Sequence, residues 1–386
     1  ITLLYKKNDR CDPRNYRPIT LLNGDYKIMM RVLTERFNKA VLQFASTEQN
    51  GFVPEGFIVE NIWLLQALQA LAEEGDKEAM FIFLDFEKAF DRCSWEFLHE
   101  ALEDLGVPRD QDTNTDHPFT RFVKLAYSHE APPLRQVYAN GYLSDPFTIH
   151  SGVAQGCPLS PLLFVCFTEV LTRLINNDDK IEGICHEFRK KTLAHLITPY
   201  ADDSTLFATL NDIPRFQRHL QTYCDATNAK ENEGKREAVL VGTLAKHPER
   251  AIGARVVKDD KYTRLGETVR ALGAPIGPHV SDHNWWHDRI DAVESRLISM
   301  MPIGPLSIRA RNTLLQSKYY GAFRYWFYFL TVPEVMIKRM EATADYFIWK
   351  SAPDFSEPNW SRVHHFIAAH AIYRDYKEGG AGLMHL

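Results

Sequence analysis

Tyr200-Ala201-Asp202-Asp203 sets two adjacent carboxylates between short apolar runs, and Asp85 closes an apolar run of its own, Met80-Phe81-Ile82-Phe83-Leu84. Such a run reads as a buried strand, and a charge at its end must lie where the strand meets water or an ion. Ser204 to Ala208 reads as a returning strand, which puts both acids side by side in the turn of a hairpin. Strand-end acids brought together repel unless a cation lies between them. Carboxylate oxygens suit Mg2+, with Mn2+ as the alternative ion. Two such ions serve phosphoryl transfer: one lowers the pKa of an attacking hydroxyl, and the other holds a triphosphate and its leaving pyrophosphate. Asp85, Asp202 and Asp203 are therefore the candidate catalytic and metal-binding residues, and a nucleotide polymerase is the first function to test. A solvated turn is the alternative reading of an isolated Asp-Asp pair.

Composition sets the frame around these acids. A chain of 386 residues, 45% hydrophobic and 25% charged, is long enough for two or three subdomains with a large core. The absence of any run of 18 apolar residues argues against a membrane partner. Six scattered cysteines form no Cys-x-x-Cys pair, which favours reduced thiols and an intracellular location, nucleus or cytoplasm. The net charge of -5 argues against a uniformly basic nucleic-acid binder, but the charge is unevenly spread. Residues 1–40 carry nine Lys/Arg against four Asp/Glu, whereas residues 71–110 carry four against twelve. A basic lobe beside an acidic, metal-bearing lobe fits a template-primer cleft, and solvated charge runs fit as well. The chain opens on Ile1 within an apolar run, which reads as part of a longer product.

The periodicity predicts a strand over Ile1 to Tyr5, helices over Asp25 to Phe44 and Val59 to Glu74, and a helix over Trp95 to Leu105. Gly75 is the expected stop of the second helix. Residues 109–118 read as an exposed loop, and Asn140-Gly141 as a tight hairpin turn. Ser160-Pro161 reads as a helix start in which the serine hydroxyl caps, followed by a buried helix over 161–175. The run Thr192 to Pro199 leads into the acidic turn, and from Asn284 onward the pattern is helical and aromatic.

Eight stretches carry a resemblance. Phe83-Leu84-Asp85-Phe86-Glu87-Lys88-Ala89-Phe90-Asp91 resembles the first catalytic motif of reverse transcriptases from retrotransposons without long terminal repeats (non-LTR), and Tyr200-Ala201-Asp202-Asp203 resembles their catalytic hairpin. Asn15-Tyr16-Arg17-Pro18-Ile19-Thr20-Leu21-Leu22 and Asn50-Gly51-Phe52-Val53-Pro54 are similar to fingers motifs, and Gly152-Val153-Ala154-Gln155-Gly156-Cys157-Pro158-Leu159-Ser160-Pro161 to the motif along the template strand and beneath the nascent base pair. Downstream, Ala229 to Lys235 and Leu272-Gly273-Ala274-Pro275-Ile276-Gly277 continue the order, and Gly379-Gly380-Ala381-Gly382-Leu383 resembles a glycine-rich element beyond the thumb.

The resemblance implies an α+β right-hand polymerase with fingers, a palm of antiparallel sheet backed by helices, and a helical thumb. Its expected segments are 1–78 (fingers), 79–110 (palm), 111–150 (fingers/palm insertion), 151–278 (palm), 279–350 (thumb) and 351–386 (post-thumb). The implied activity is copying of an RNA template from a DNA primer with deoxynucleoside triphosphates and Mg2+. Phe90 would be the steric gate that leaves no room for a 2′-hydroxyl, with core packing as its residue-level alternative. Arg17 would contact triphosphate oxygens, with Lys6 or Lys7 adding positive potential. Phe86, Gln155 and Gly156 would line the nucleotide and template position, the glycine for close backbone approach. Lys235 would assist pyrophosphate departure, while Tyr200 and Ala201 support the hairpin. Trp285, Trp286 and Trp326 could grip a primer, and helical spacing favours core packing for them.

Some positions depart from the family pattern. Glu55-Gly56 follows the second fingers motif where glycine and arginine are usual, and Ser151 and Ala154 stand where basic residues are common. Glu231 and Gly234 also differ. Lost positive charge weakens a grip on phosphate, so the competing expectation is a catalytically weak or inactive nucleic-acid-binding scaffold derived from a retrotransposon.

Overall fold

The computed structural model describes residues 1–106, 117–254, 256–257, 262–263, 267–278, 282–300 and 306–349. The chain divides into two compact units, Ile1–Pro278 and His279–Leu386. The expected loop at 109–118 falls almost wholly outside the described residues, as does the glycine-rich stretch at 379–383.

The first unit is an α+β body. It opens with the antiparallel pair β1 (Thr2–Tyr5) and β2 (Tyr16–Ile19), then α1 (Gly24–Phe44), α2 (Ile58–Glu74) and β3 (Glu78–Leu84). Gly75 ends α2 as expected, its N–H returning to Leu71 O. After α3 (Trp95–Asp104) and α4 (Pro118–Ala126) come four two-residue strands, β4 (Leu134–Arg135), β5 (Tyr138–Ala139), β6 (Tyr142–Leu143) and β7 (Phe147–Thr148). β5 and β6 form the Asn140-Gly141 hairpin, with both turn residues at positive φ, and β5 extends the first sheet to the order β2-β1-β5-β6.

The chain continues through α5 (Ser160–Asn176), β8 (Ile184–Phe188), β9 (Lys191–His195), β10 (Ile197–Tyr200), β11 (Asp203–Ala208) and α6 (Ile213–Thr227). It then adds β12 (Glu237–Gly242), the single turn α7 (Thr243–Lys246), and the small hairpin of β13 (Val269–Ala271) and β14 (Ala274–Ile276). The expected strand over 192–199 is in fact two strands of different sheets. β9 pairs back on β8, the chain turns at Leu196, and β10 joins β11 in the central sheet.

That central sheet is antiparallel, in the order β10-β11-β3-β12. Its two faces explain why β3 is apolar without alternation. Ile82, Leu84, Leu206, Ala208, Ala238 and Leu240 point into the core formed with α3, α5 and α6. Phe81, Phe207 and Val239 occupy the opposite face, also buried, with the two phenyl rings edge to face at 5.4 Å. α2 covers that second face, its Val59, Ile62 and Leu65 fully buried. A strand covered on both sides can afford no polar alternation, and each buried phenylalanine is worth about 1.5–3 kcal/mol.

α5 is the buried helix expected after Pro161, but Ser160 does not cap it. The helix starts one residue earlier, with Leu159 in the cap position. The Ser160 hydroxyl points into the core instead, 3.3 Å from the Tyr127 hydroxyl.

In the second unit the described elements are helical: α8 (Asp282–Ser299), α9 (Ile308–Leu314) running through a π turn at Leu315–Tyr320 into α10 (Gly321–Phe323), and α11 (Glu334–Trp349). Trp286, Ile290, Tyr319, Phe323, Met340 and Phe347 fill its core. The buried Glu294 carboxylate accepts from Thr343 Oγ1, Tyr319 Oη and Arg339. Trp286 is core, as spacing favoured. Arg289 lies over the rings of Trp285 and Trp326. No helix among the described residues is long and apolar enough to cross a membrane.

Candidate active site

The register of the central sheet decides where the three acids fall. β3 and β11 pair Leu84 with Ser204 and Phe83 with Thr205, so the next antiparallel step sets Asp85 opposite Asp203. Both acids thus lie on the face that carries Phe83 and Thr205, just past the area covered by α2. Together with Tyr200, Lys235, Glu237 and Arg270, they line a cavity of about 210 Å³. Asp202 is exposed beside them.

The hairpin differs from the expected one in a useful detail. Tyr200 pairs with Asp203, so the loop is the two residues Ala201 and Asp202, and Asp203 is already the first residue of β11. The acids are sequential, one in the turn and one on the strand. Ala201 is buried at φ 57, a position that hairpin turns usually give to glycine. The surroundings hold it there. Gly51 packs so closely that a Cβ on it would lie 2.3 Å from Ala201 N and 2.9 Å from Tyr200 C. Asn61 on α2 donates to Thr198 Oγ1 at 2.7 Å and to Pro199 O at 3.3 Å, tying β10 to the helix behind it. The sequence flagged Gly51 within a motif but gave no sign that the acidic turn was its neighbour, and Asn61 carried no signal at all.

The segment 229–236 clamps the other acid. Asn232 N donates to Asp85 O and Glu87 N donates to Lys230 O, both at 2.8 Å, and Phe86 forms a bridge with Glu231. Arg236 grips Glu231 through two bonds of 2.6 Å and holds Val256 O with its third nitrogen. Lys235 Nζ lies 2.5 Å from Asp85 Oδ2.

The electrostatics are those of acids forced together. Asp203 is exposed at the surface like Asp202, yet partial desolvation of its carboxyl, then the charges of Asp202 and Asp85, push it up to about 6, against the pull of Lys235 and Lys6. Hard oxygen donors at the ends of two inner strands, one of them disfavoured as an anion by the others, match what a divalent cation would relieve. As they stand, no group of three or more His, Cys, Asp or Glu among the described residues is arranged to hold a metal ion. Asp85 is engaged by Lys235, and Asp202 reaches out from the turn.

The remaining candidates fall in two sets. Phe90 is half-buried, stacked on Phe164 at 4.4 Å and edge-on to Phe52 at 6.2 Å, so both packing and an exposed edge are real. Gly156 has φ 110, and a Cβ there would meet Thr20 O at 2.7 Å. Thr20 N in turn donates to Gln155 O at 2.7 Å, which fastens the end of β2 to Gln155 and Gly156. Arg17 stands exposed on the same strand. Phe86 is not gathered with these: its ring packs edge-on against buried Tyr223 at 6.2 Å.

Comparison with known proteins follows the same residues. The family described as reverse transcriptase (RNA-dependent DNA polymerase) matches residues 5–275. The Transposon TX1 uncharacterized 149 kDa protein of Xenopus laevis is 30% identical over 63% of this chain and 18% of its own length. The Retrovirus-related Pol polyprotein from type-1 retrotransposable element R2 of Popillia japonica is 28% identical over 55% of this chain and 27% of its own. The chain thus matches about a fifth to a quarter of the length of these relatives. Among solved structures, apo telomerase from Candida tropicalis covers 84% of this chain and 50% of its own, at 10% identity and a TM-score of 0.45.

Proposed function

The chain belongs to the reverse transcriptase family, related to the Pol proteins of R2- and TX1-type non-LTR retrotransposons, and from that membership we propose that it copies RNA into DNA. The observation that carries the reading is that Asp85, just past β3, and Asp203, first on β11, line one cavity, with Asp202 beside them. In this reading residues 1–78 act as fingers, 79–110 and 151–278 as palm, 111–150 as a fingers/palm insertion, 279–350 as a helical thumb and 351–386 as a post-thumb segment. RNA template, DNA primer and deoxynucleoside triphosphates are the partners, in nucleus or cytoplasm.

Asp85, Asp202 and Asp203 would hold Mg2+ or Mn2+, which when bound supply a lowered pKa at the primer 3′-hydroxyl and neutralise charge on the triphosphate. The rest of the chemistry belongs to the chain's own groups. Phe90, pinned by Phe164, presents a rigid edge where a ribose 2′-hydroxyl would fall. Gly156 lets Thr20 close on the backbone there and so shapes the template side of the site, and Gln155 offers amide hydrogen bonds beside it. Arg17 and Lys6 contribute positive potential toward phosphate oxygens. Lys235, released from Asp85, is placed to donate a proton to departing pyrophosphate.

A primer-extension assay on an RNA template with deoxynucleotides and Mg2+ tests the reading. Asp202→Asn is expected to cost at least about a thousandfold in rate, several kcal/mol of transition-state stabilisation; equal extension by the two proteins would sink it. The second reading, a binding scaffold without activity, draws on the Asp85–Lys235 ion pair, which occupies a ligand the metal needs. It predicts tight binding of a primer-template with no extension by the wild type.

A further inference from the structure

Asp91 has no part in the site described above, but the segment 151–155 is built around it. Ser151 Oγ donates to Asp91 O at 3.1 Å, and Gly152, at φ 85, lies so close that a Cβ would meet that same carbonyl at 2.6 Å. Gly152 N bonds Cys93 O, and Val153 N bonds Phe90 O, each at 2.8 Å. Trp95 Nε1 completes the seam by donating to Gly152 O at 2.8 Å. At the end of the segment Gln155 Nε2 donates to Asp91 Oδ1 at 3.0 Å.

That last bond has a chemical consequence. A primary amide can face a neighbour with either its oxygen or its NH2, and the two orientations are nearly equal in shape. An ionised carboxylate accepts only, so Asp91 admits only the NH2. The carbonyl oxygen of Gln155 is thereby committed to the other side, beside Gly156. We infer that Asp91 is a positioning residue of the nucleotide site, fixing which end of the Gln155 amide the incoming nucleotide meets and holding the 151–155 segment against the backbone of Phe90. This deepens the polymerase reading and rests on it.

The substitution Asp91→Ala frees the amide to flip and removes a hydrogen bond to a charged group, whereas Asp91→Asn keeps an accepting Oδ1. Steady-state extension with one deoxynucleotide varied separates the roles. Asp91→Ala should raise the KM for the nucleotide about tenfold, the loss of one charge-assisted hydrogen bond, with kcat within about threefold. Asp91→Asn keeps a partner but, able to donate as well as accept, no longer fixes the amide, and should raise KM to a value between wild type and Asp91→Ala. In a Gln155→Ala background, Asp91→Ala should add less than about twofold, because residues that act through one another are not additive. Should Asp91→Ala prove too unstable to assay, the exchange Asp91→Asn with Gln155→Glu decides: it reverses the donor and acceptor, and should recover nucleotide affinity lost by Gln155→Glu alone.

Three results would overturn the inference: a fall in kcat with KM unchanged, an Asp91→Ala cost that persists in full without Gln155, or an exchange pair no better than Gln155→Glu. A wild type that fails to extend overturns the polymerase reading, and this inference with it. A wild type that extends while Asp91→Ala matches its KM overturns this inference alone.

Discussion

The two ends of β11 each carry an aspartate in opposite circumstances. Asp212, just beyond the far end, is buried, and its carboxylate accepts from Glu182 N, Gly183 N, Thr209 N and Thr209 Oγ1 at 2.8–3.0 Å. Asp203, at the near end, has no donor on its carboxylate among the described residues, and the charges of Asp202 and Asp85 outweigh those of Lys235 and Lys6 beside it. Folding gives both oxygens of the first a donor and leaves those of the second available. A carboxylate saturated by N–H groups is part of the scaffold, and one crowded by like charge is reserved for something outside the chain.

Paired substitutions test that contrast most severely. Asp203→Asn should cut primer extension by at least about a hundredfold while leaving the melting temperature unchanged or raised, since it removes repulsion and a proposed metal ligand together. Asp212→Ala should do the reverse: it strands several buried donors, at about 3–5 kcal/mol of stability. Melting curves and extension rates on both proteins check this, and a large loss of stability in Asp203→Asn would erase the distinction. Phe90→Val comes next, with an expected relaxation of discrimination against ribonucleotides of about tenfold, the scale of a side chain's worth of lost packing; unchanged selectivity would return Phe90 to the core.

A smaller effect is expected at Lys235. An exposed ion pair is worth under about 1 kcal/mol, so Lys235→Gln should tighten Mn2+ binding to the free protein by about two- to fivefold, measurable by calorimetry without substrate. Weaker binding would show that the lysine supports the cation rather than competing with it. Smallest is the acid branch of stability. Asp178 is held down to about 2, first by His219 Nε2 and then, against some burial, by Arg215 and Lys180 N. A depressed folded pKa stabilises above the ordinary value of 3.8, and that contribution is lost as pH falls through about 2. Asp178→Asn should therefore flatten the melting temperature between those values, and an unchanged slope would remove Asp178 from the saturated class.

Much of this contrast was legible in the sequence, for reasons that differ by residue. The apolar run ending at Asp85 announced a strand because both of its faces are covered, and the acidic turn announced itself by charge against apolar flanks. Gly75 and Asn140-Gly141 spoke through backbone chemistry alone. What stayed hidden depends on contacts distant in sequence. Gly51 under Ala201, Asn61 at Thr198 and Asp91 at Gln155 join positions 64 to 150 residues apart, and nothing local marks them. The split of 192–199 between two sheets was hidden because each half has the same strand-like pattern. The Ser160 cap failed because a serine that can close a helix can also fill a core, and Tyr127 was not visible as the competitor.

The ladder between β3 and β11 also works as a ruler. Its spacing has period two, so sliding β3 by a single residue against β11 would carry Asp85 to the opposite face from Asp203. A copy of this gene that had lost one codon between Glu78 and Leu84 could keep every motif letter by letter and still lose its paired acids. The count of residues leading into each motif is thus as strict a requirement as the motif itself.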